Sequence, residues 1–113
     1  MGVLLRDRVP ARPVIVFMGT PDFAVPTLRF LLAAGRDVRS VVTQPDRPRG
    51  RGKRTMPSPV KTFALDRDVE VLQPESVNTE SFRSVLRERA PDLFIVVAFG
   101  QILKGDLLAV PRW

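Results

Sequence analysis

The sequence predicts an open, parallel α/β sheet, and three observations predict it. Residues 14–18 and 93–98 form continuous apolar runs rich in β-branched side chains, as expected of strands buried on both faces. Amphipathic stretches at helical spacing alternate with the strands, which is the pattern of right-handed β-α-β crossovers. The chain has 113 residues, 44% hydrophobic and 27% charged, enough for one globular domain at most.

The elements follow in order. Residues 1–12 carry no usable period and read as an N-terminal tail, so the domain is placed at 13–113. Val14-Ile15-Val16-Phe17-Met18 is the first strand and ends at Gly19. Gly19-Thr20-Pro21-Asp22 supplies turn and helix-start chemistry, with Thr20 or Asp22 able to cap free N–H groups. The first helix places Phe23/Ala24, Leu28, Leu31 and Leu32 on its apolar stripe, tolerates Pro26 in its first turn, and stops at Gly35. Residues 38–43 are the second strand. Residues 45–59 hold four prolines besides Gly50 and Gly52, and each proline removes a backbone donor, so this stretch reads as irregular loop. Ser58-Pro59 caps and opens a helix over 60–65. A short strand at 69–72 follows, then an amphipathic helix over 81–89 with Phe82, Val85 and Leu86 inward. The apolar strand at 93–98 and a short helix near 104–109 complete the order β-α-β-α-β-α-β, half of a doubly wound nucleotide-binding type of fold. Such folds bind ligands beyond the carboxyl ends of their strands. Gly19-Thr20, the 45–59 loop and Phe99-Gly100-Gln101 should therefore gather on one edge.

Composition narrows the chemistry. The 113 residues contain no cysteine and no histidine, which removes thiolate nucleophiles, disulfides, Cys-ligated zinc and the commonest general base together. No apolar run approaches the roughly 18 residues needed to span a bilayer, and the charged, proline-broken start does not resemble a signal peptide. A cytoplasmic protein without membrane contact is the expectation. The net charge is +6, and residues 45–61 hold six basic residues against one acidic. A basic excess confined to one loop suggests contact with a polyanion. Gly19-Thr20-Pro21-Asp22 lacks the further glycines of a dinucleotide fingerprint, and Gly50-Arg51-Gly52-Lys53-Arg54 lacks the spacing of a P-loop. Phe99-Gly100-Gln101-Ile102-Leu103 follows a strand end and could line a pocket for a flat heterocycle. Asp92, at a strand start, lies on the wrong edge for catalysis, and Asp46 is expected to support its own loop.

Three ordered blocks then carry a resemblance. Val16-Phe17-Met18-Gly19-Thr20-Pro21-Asp22-Phe23-Ala24 is the first. The second runs from Val42-Thr43-Gln44-Pro45-Asp46-Arg47-Pro48 through Gly50-Arg51-Gly52-Lys53 to Pro57-Ser58-Pro59-Val60-Lys61. The third is Val97-Ala98-Phe99-Gly100-Gln101-Ile102-Leu103, in which Tyr is commoner than Phe at position 99. Together they resemble the N-terminal part of the methionyl-tRNA formyltransferases, over about residues 13–112. The resemblance implies a Rossmann-like formyltransferase domain, transfer of a formyl group from 10-formyltetrahydrofolate to the methionyl amino group of initiator tRNA, and a role in translation initiation. It implies tRNA contacts by Arg47, Arg51, Lys53, Arg54 and Lys61, and an aminoacyl-end site bordered by Gly19, Thr20 and Phe23. The folate would lie against Phe99, Gly100, Gln101, Ile102 and Leu103, held largely through main-chain groups. No metal is implied.

The departure is equally specific. The family's catalytic Asn-x-His pair and distant Asp follow the Pro-Arg found here at Pro111-Arg112, and they have no counterpart in these residues. No catalytic residue is therefore assigned. The expectation is an N-terminal portion of the domain, without the C-terminal tRNA-binding barrel and inactive alone. An open half-sheet with an apolar edge is also expected to be able to self-associate. The alternative reading is a non-catalytic nucleic-acid-binding module that uses the basic stretch 45–61. Against it stands the near-neutral scaffold, since dedicated binders spread basic residues over a face.

Overall fold

A computed structural model describes residues 12–49 and 54–112. Four parallel strands form its main sheet: β1 (Val14–Gly19), β2 (Asp37–Val42), β5 (Glu70–Leu72) and β6 (Leu93–Val97), in the order β5-β2-β1-β6. β1 is the centre, with Phe17 facing Val41 of β2 on one side and Ile95 of β6 on the other. Chain order along the sheet runs outward from β1 through β2 to β5, then returns to place β6 on β1's other flank. The strand order thus reverses between β1 and β6, which is the switch point of an open α/β sheet.

Alternation along β1 builds two cores. Val16 and Met18 face one side and pack with Val77, Phe82, Leu86, Phe99 and Leu107. Phe17, between them, faces the other side and packs with Ala24, Leu28, Val41, Val60 and Ala64. Helices α1 (Val25–Ala33) and α2 (Pro59–Asp66) cover the second face. α3 (Glu80–Glu88) and the short α4 (Gly105–Leu108) cover the first. Because helices cover both faces, β1 and β6 are continuously apolar rather than alternating.

Local signals at the helix ends mostly do what their chemistry predicts. α1 stops through a Schellman turn in which Gly35 (φ +74°) donates to the Leu32 carbonyl and Arg36 to that of Leu31. The Ser58 hydroxyl caps α2 by accepting from the Lys61 N–H at 3.0 Å, and a proline occupies the first turn. Thr79 caps α3 by accepting from the Phe82 N–H.

Three expectations need correction. The stretch 45–59 is not wholly irregular: β3 (Arg47–Arg49) and β4 (Arg54–Met56) pair antiparallel, with Pro48 opposite Thr55. A two-stranded ribbon has only edges, so a proline whose missing N–H would have pointed outward costs no ladder bond. Neither Thr20 nor Asp22 caps the first helix. That helix begins as a 3-10 turn at Asp22–Ala24 with Pro21 before it and no side-chain cap, because the Thr20 hydroxyl is engaged elsewhere. Phe23 does not join the apolar stripe. The 3-10 turn rotates it outward to 76% exposure while Ala24 and Leu28 are buried.

Candidate functional site

The carboxyl ends of β1, β2, β5 and β6 deliver Gly19-Thr20, Thr43-Gln44, Gln73 and Ala98-Phe99-Gly100 to one edge. Thr20 is the hub at the switch point. Its hydroxyl donates to the Phe99 carbonyl at 2.7 Å and accepts from the Gln44 N–H at 3.3 Å. Its carbonyl accepts from the Val60 N–H at 3.4 Å. One residue thereby ties the ends of β1, β2 and β6 to the start of α2. Gly19 is required beside it. A Cβ there would stand 2.9 Å from the Ala24 Cβ, the Phe17 ring and the Val97 carbonyl oxygen.

Beyond β6 the backbone leaves ordinary space. Ala98 (φ +50°) and Gly100 (φ +102°) are both left-handed, with Phe99 between them. Such conformations cost energy and gather at ligand-facing turns. Side-chain amides hold this segment. Gln44 Nε2 donates to the Gly100 carbonyl at 3.1 Å, and Gln101 Nε2 donates to Gln44 Oε1 at 2.7 Å. Gln101 Oε1 in turn accepts from the Val77 N–H at 2.9 Å. Asn78 grips the next residues twice: its Nδ2 donates to the Ile102 carbonyl at 2.8 Å, and its Oδ1 accepts from the Lys104 N–H at 3.0 Å.

The basic ribbon is inserted between β2 and α2, and two polar contacts close its base. Thr43 and Ser58 share a buried hydroxyl–hydroxyl hydrogen bond of 2.7 Å. Asp46 accepts from Lys61 Nζ at 3.1 and 3.2 Å and from Gln73 Nε2 at 2.8 Å. Asp46 thus supports its loop, as its position predicts. Lys61 anchors the ribbon through that pair rather than standing apart. Arg47 is exposed in β3 and Arg54 opens β4. Arg51 and Lys53 lie outside the described residues.

The sequence-predicted site residues fall into distinct places. Gly19, Thr20 and Gly100 meet at the switch point. The Phe99 side chain turns inward and is 2% exposed, so this residue offers the edge only its main chain. Leu103 packs against the same core, whereas Ile102 is 81% exposed. Phe23 stands exposed, immediately after Asp22, which lines a depression of about 420 Å³ with Val25, Met56, Pro57, Pro59 and Phe63. Asp92 lies at the opposite edge, where its carboxylate accepts from the Val14 N–H at 2.8 Å. Among the described residues no three His, Cys, Asp or Glu side chains come together as a metal site. No described helix is long and apolar enough to cross a membrane.

Sequence reasoning missed Gln44, Gln73 and Asn78 as site residues. Gln44 and Gln73 had a usable signal, since each directly follows a strand. Asn78 had none, because an Asn in a polar turn is commonplace.

An open parallel sheet covered on both faces, with its glycines, left-handed turns and side-chain amides at the switch point, defines an α/β domain of the class whose ligands lie beyond the strand ends. The chain belongs to the formyl transferase family, which it matches over residues 12–113. It is 55% identical over 98 residues to the methionyl-tRNA formyltransferase of Geobacter sulfurreducens, covering 87% of this chain and 31% of that relative. The methionyl-tRNA formyltransferase of Pelobacter propionicus is 56% identical over 97 residues, covering 86% of this chain and 30% of the relative. That of Acetivibrio thermocellus is 52% identical over 99 residues, covering 88% and 32%. The chain therefore spans about a third of the length of the curated relatives it matches.

Proposed function

We propose that these residues supply parts of two substrate sites in an enzyme that moves a formyl group from 10-formyltetrahydrofolate to the methionyl amino group of initiator tRNA. One observation carries the reading: the basic ribbon, the Gly19-Thr20 turn and the 99–103 segment meet at a single sheet edge, in a chain whose relatives bear the name of that transferase. Arg47, Arg51, Lys53 and Arg54 meet phosphates of the tRNA acceptor end, where charge-assisted contacts are strongest. Lys61 adds positive charge at the ribbon's root while holding Asp46. Gly19, Thr20 and the exposed Phe23 border the aminoacyl end. The segment 99–103 holds the pteridine ring of the folate through main-chain groups, with the Phe99 ring bracing it from the core.

Formyl transfer needs a group that polarises the donor and a group that accepts the amine's proton. The family's Asn-x-His pair has no counterpart in these 113 residues, which contain no histidine. The 113-residue chain alone accordingly binds but does not catalyse. The lateral edge of β6, with Val96 45% exposed, offers a surface through which this chain self-associates. Titrating the chain with initiator tRNA and, separately, with 5-formyltetrahydrofolate as an unreactive donor analogue tests the reading. Saturable binding of both, with no formyl-methionyl-tRNA formed from the true donor, is the expected result. Failure to bind either ligand would remove its support.

A further inference from the structure

The Thr20 hydroxyl and the Gln44 and Asn78 amides, from three parts of the chain, converge on residues 99–104 and take three of its carbonyls. Thr20 donates to the carbonyl of Phe99, Gln44 to that of Gly100, and Asn78 to that of Ile102. The main-chain N–H groups of Gly100, Gln101 and Ile102 meet no hydrogen-bond acceptor among the described residues. A segment treated this way presents donors, suited to the ring nitrogens and carbonyl of a flat heterocycle. Its geometry is also unusual, with Ala98 and Gly100 both left-handed. A turn of that kind persists only if its surroundings over-determine it. A Cβ on Gly100 would stand 2.8 Å from Gln44 Nε2, so the amide is seated tightly against the turn.

We propose that Gln44, Gln101 and Asn78 are positioning residues for the formyl donor: their side-chain amides fix residues 99–104 so that the N–H groups of Gly100, Gln101 and Ile102 face the folate heterocycle. The inference rests on the reading of 99–103 as the donor segment. Gln44 has a second consequence, because it immediately precedes Pro45 and the ribbon. Its main-chain carbonyl accepts from Gln73 Nε2 at 3.3 Å, and the same Gln73 amide donates to Asp46. The donor segment and the root of the basic ribbon thus share one hydrogen-bonded chain, Asn78 apart.

The test uses the 113-residue chain with 5-formyltetrahydrofolate as the probe, its affinity measured by calorimetry and its main-chain amides followed by NMR. Gln44→Ala, Gln101→Ala and Asn78→Ala should each weaken probe binding about tenfold and shift the amide resonances of residues 98–104. Gln44→Glu keeps the acceptor for Gln101 but sets a carboxylate oxygen against the Gly100 carbonyl, and should weaken probe binding at least as much as Gln44→Ala. Asp92→Asn is the control: it perturbs the carboxylate that accepts from the Val14 N–H at the opposite edge, should lower the melting temperature, and should leave probe affinity unchanged. If wild type binds the probe and the three alanine variants bind it equally well, positioning is overturned while the donor-segment reading stands. If Asp92→Asn weakens binding as much as they do, the loss is general destabilisation and the proposal also fails. If wild type does not bind the probe at all, the donor-segment reading itself fails and takes the proposal with it.

Discussion

The Thr20 hydroxyl donates to the Phe99 carbonyl at 2.7 Å, joining residues 79 positions apart where the strand order reverses. The same oxygen accepts from the Gln44 N–H. Removing that hydroxyl leaves a carbonyl and an N–H without partners in a part-buried place. Thr20→Val, which keeps the shape, should therefore destabilise the fold by about 1–2 kcal/mol. Urea unfolding at neutral pH measures it, and an unchanged midpoint would show that water replaces both contacts.

Gly19→Ala should be a larger perturbation. The new methyl meets the Ala24 Cβ, the Phe17 ring and the Val97 carbonyl oxygen all at 2.9 Å. The carbonyl is backbone of a neighbouring strand and cannot rotate away. A cost of roughly 1–3 kcal/mol is expected from such overpacking, read in the same unfolding assay. A stability equal to wild type would mean that β1 and β6 separate easily.

Ala90→Gly should move stability the other way. Ala90 sits just past the end of α3 at φ +50°, exposed, donating to the Arg87 carbonyl. A side chain in the left-handed region is strained, and glycine relieves that strain while adding freedom to the unfolded chain. A net gain of about 0.5–1 kcal/mol is expected. A loss in thermal unfolding would show that the unfolded-state term dominates.

The pH dependence should carry a signature of Glu70. The guanidinium of Arg89, 2.6 Å away, and the hydroxyl of buried Ser40 hold its carboxyl below its usual value of 4.5. A depressed pKa contributes stability at pH above the unfolded value, and that contribution is lost as pH falls through the folded value. Glu70→Gln should therefore be less stable than wild type at neutral pH, by at most about 1 kcal/mol because the pair is part-exposed. The difference should close on acidification below 4.5. A gap that stays constant down to acid pH would assign the effect to packing.

How much of this was legible in the residues depends on how local each signal is. The strands at 14–18 and 93–98, the Gly35 stop and the Ser58-Pro59 helix start each rest on a few adjacent residues, and each appears where expected. The β3–β4 ribbon was hidden by prolines, whose usual veto on strands lapses in a two-stranded edge. Thr20 was misread because capping is a local expectation, while its actual partner lies 79 residues away. The same holds for the site. Which segments meet followed from topology, and Gln44 and Gln101 follow strand ends, but the contacts that their amides and that of Asn78 make run across the chain, where no spacing rule reaches.

The ribbon's charge and the 99–103 segment should respond to different substitutions. Each phosphate contact made by Arg51, Lys53 or Arg54 releases counterions, so binding weakens with salt at a log–log slope of about 0.7–0.9 per contact. In a full-length formyltransferase carrying these segments, neutralising all three to Ala should flatten that slope by about 2–3 units if each makes one contact. Folate affinity should hardly change, because residues 99–103 belong to a different strand end. Gly100→Val should do the reverse. At φ +102°, and with a Cβ 2.8 Å from the Gln44 amide, valine distorts the donor segment without touching a charge. The measurements are tRNA affinity over a salt series and folate affinity at one salt concentration. A slope unchanged in the triple variant would make the ribbon a solvated bystander, and the tRNA contact would have to be sought on another surface.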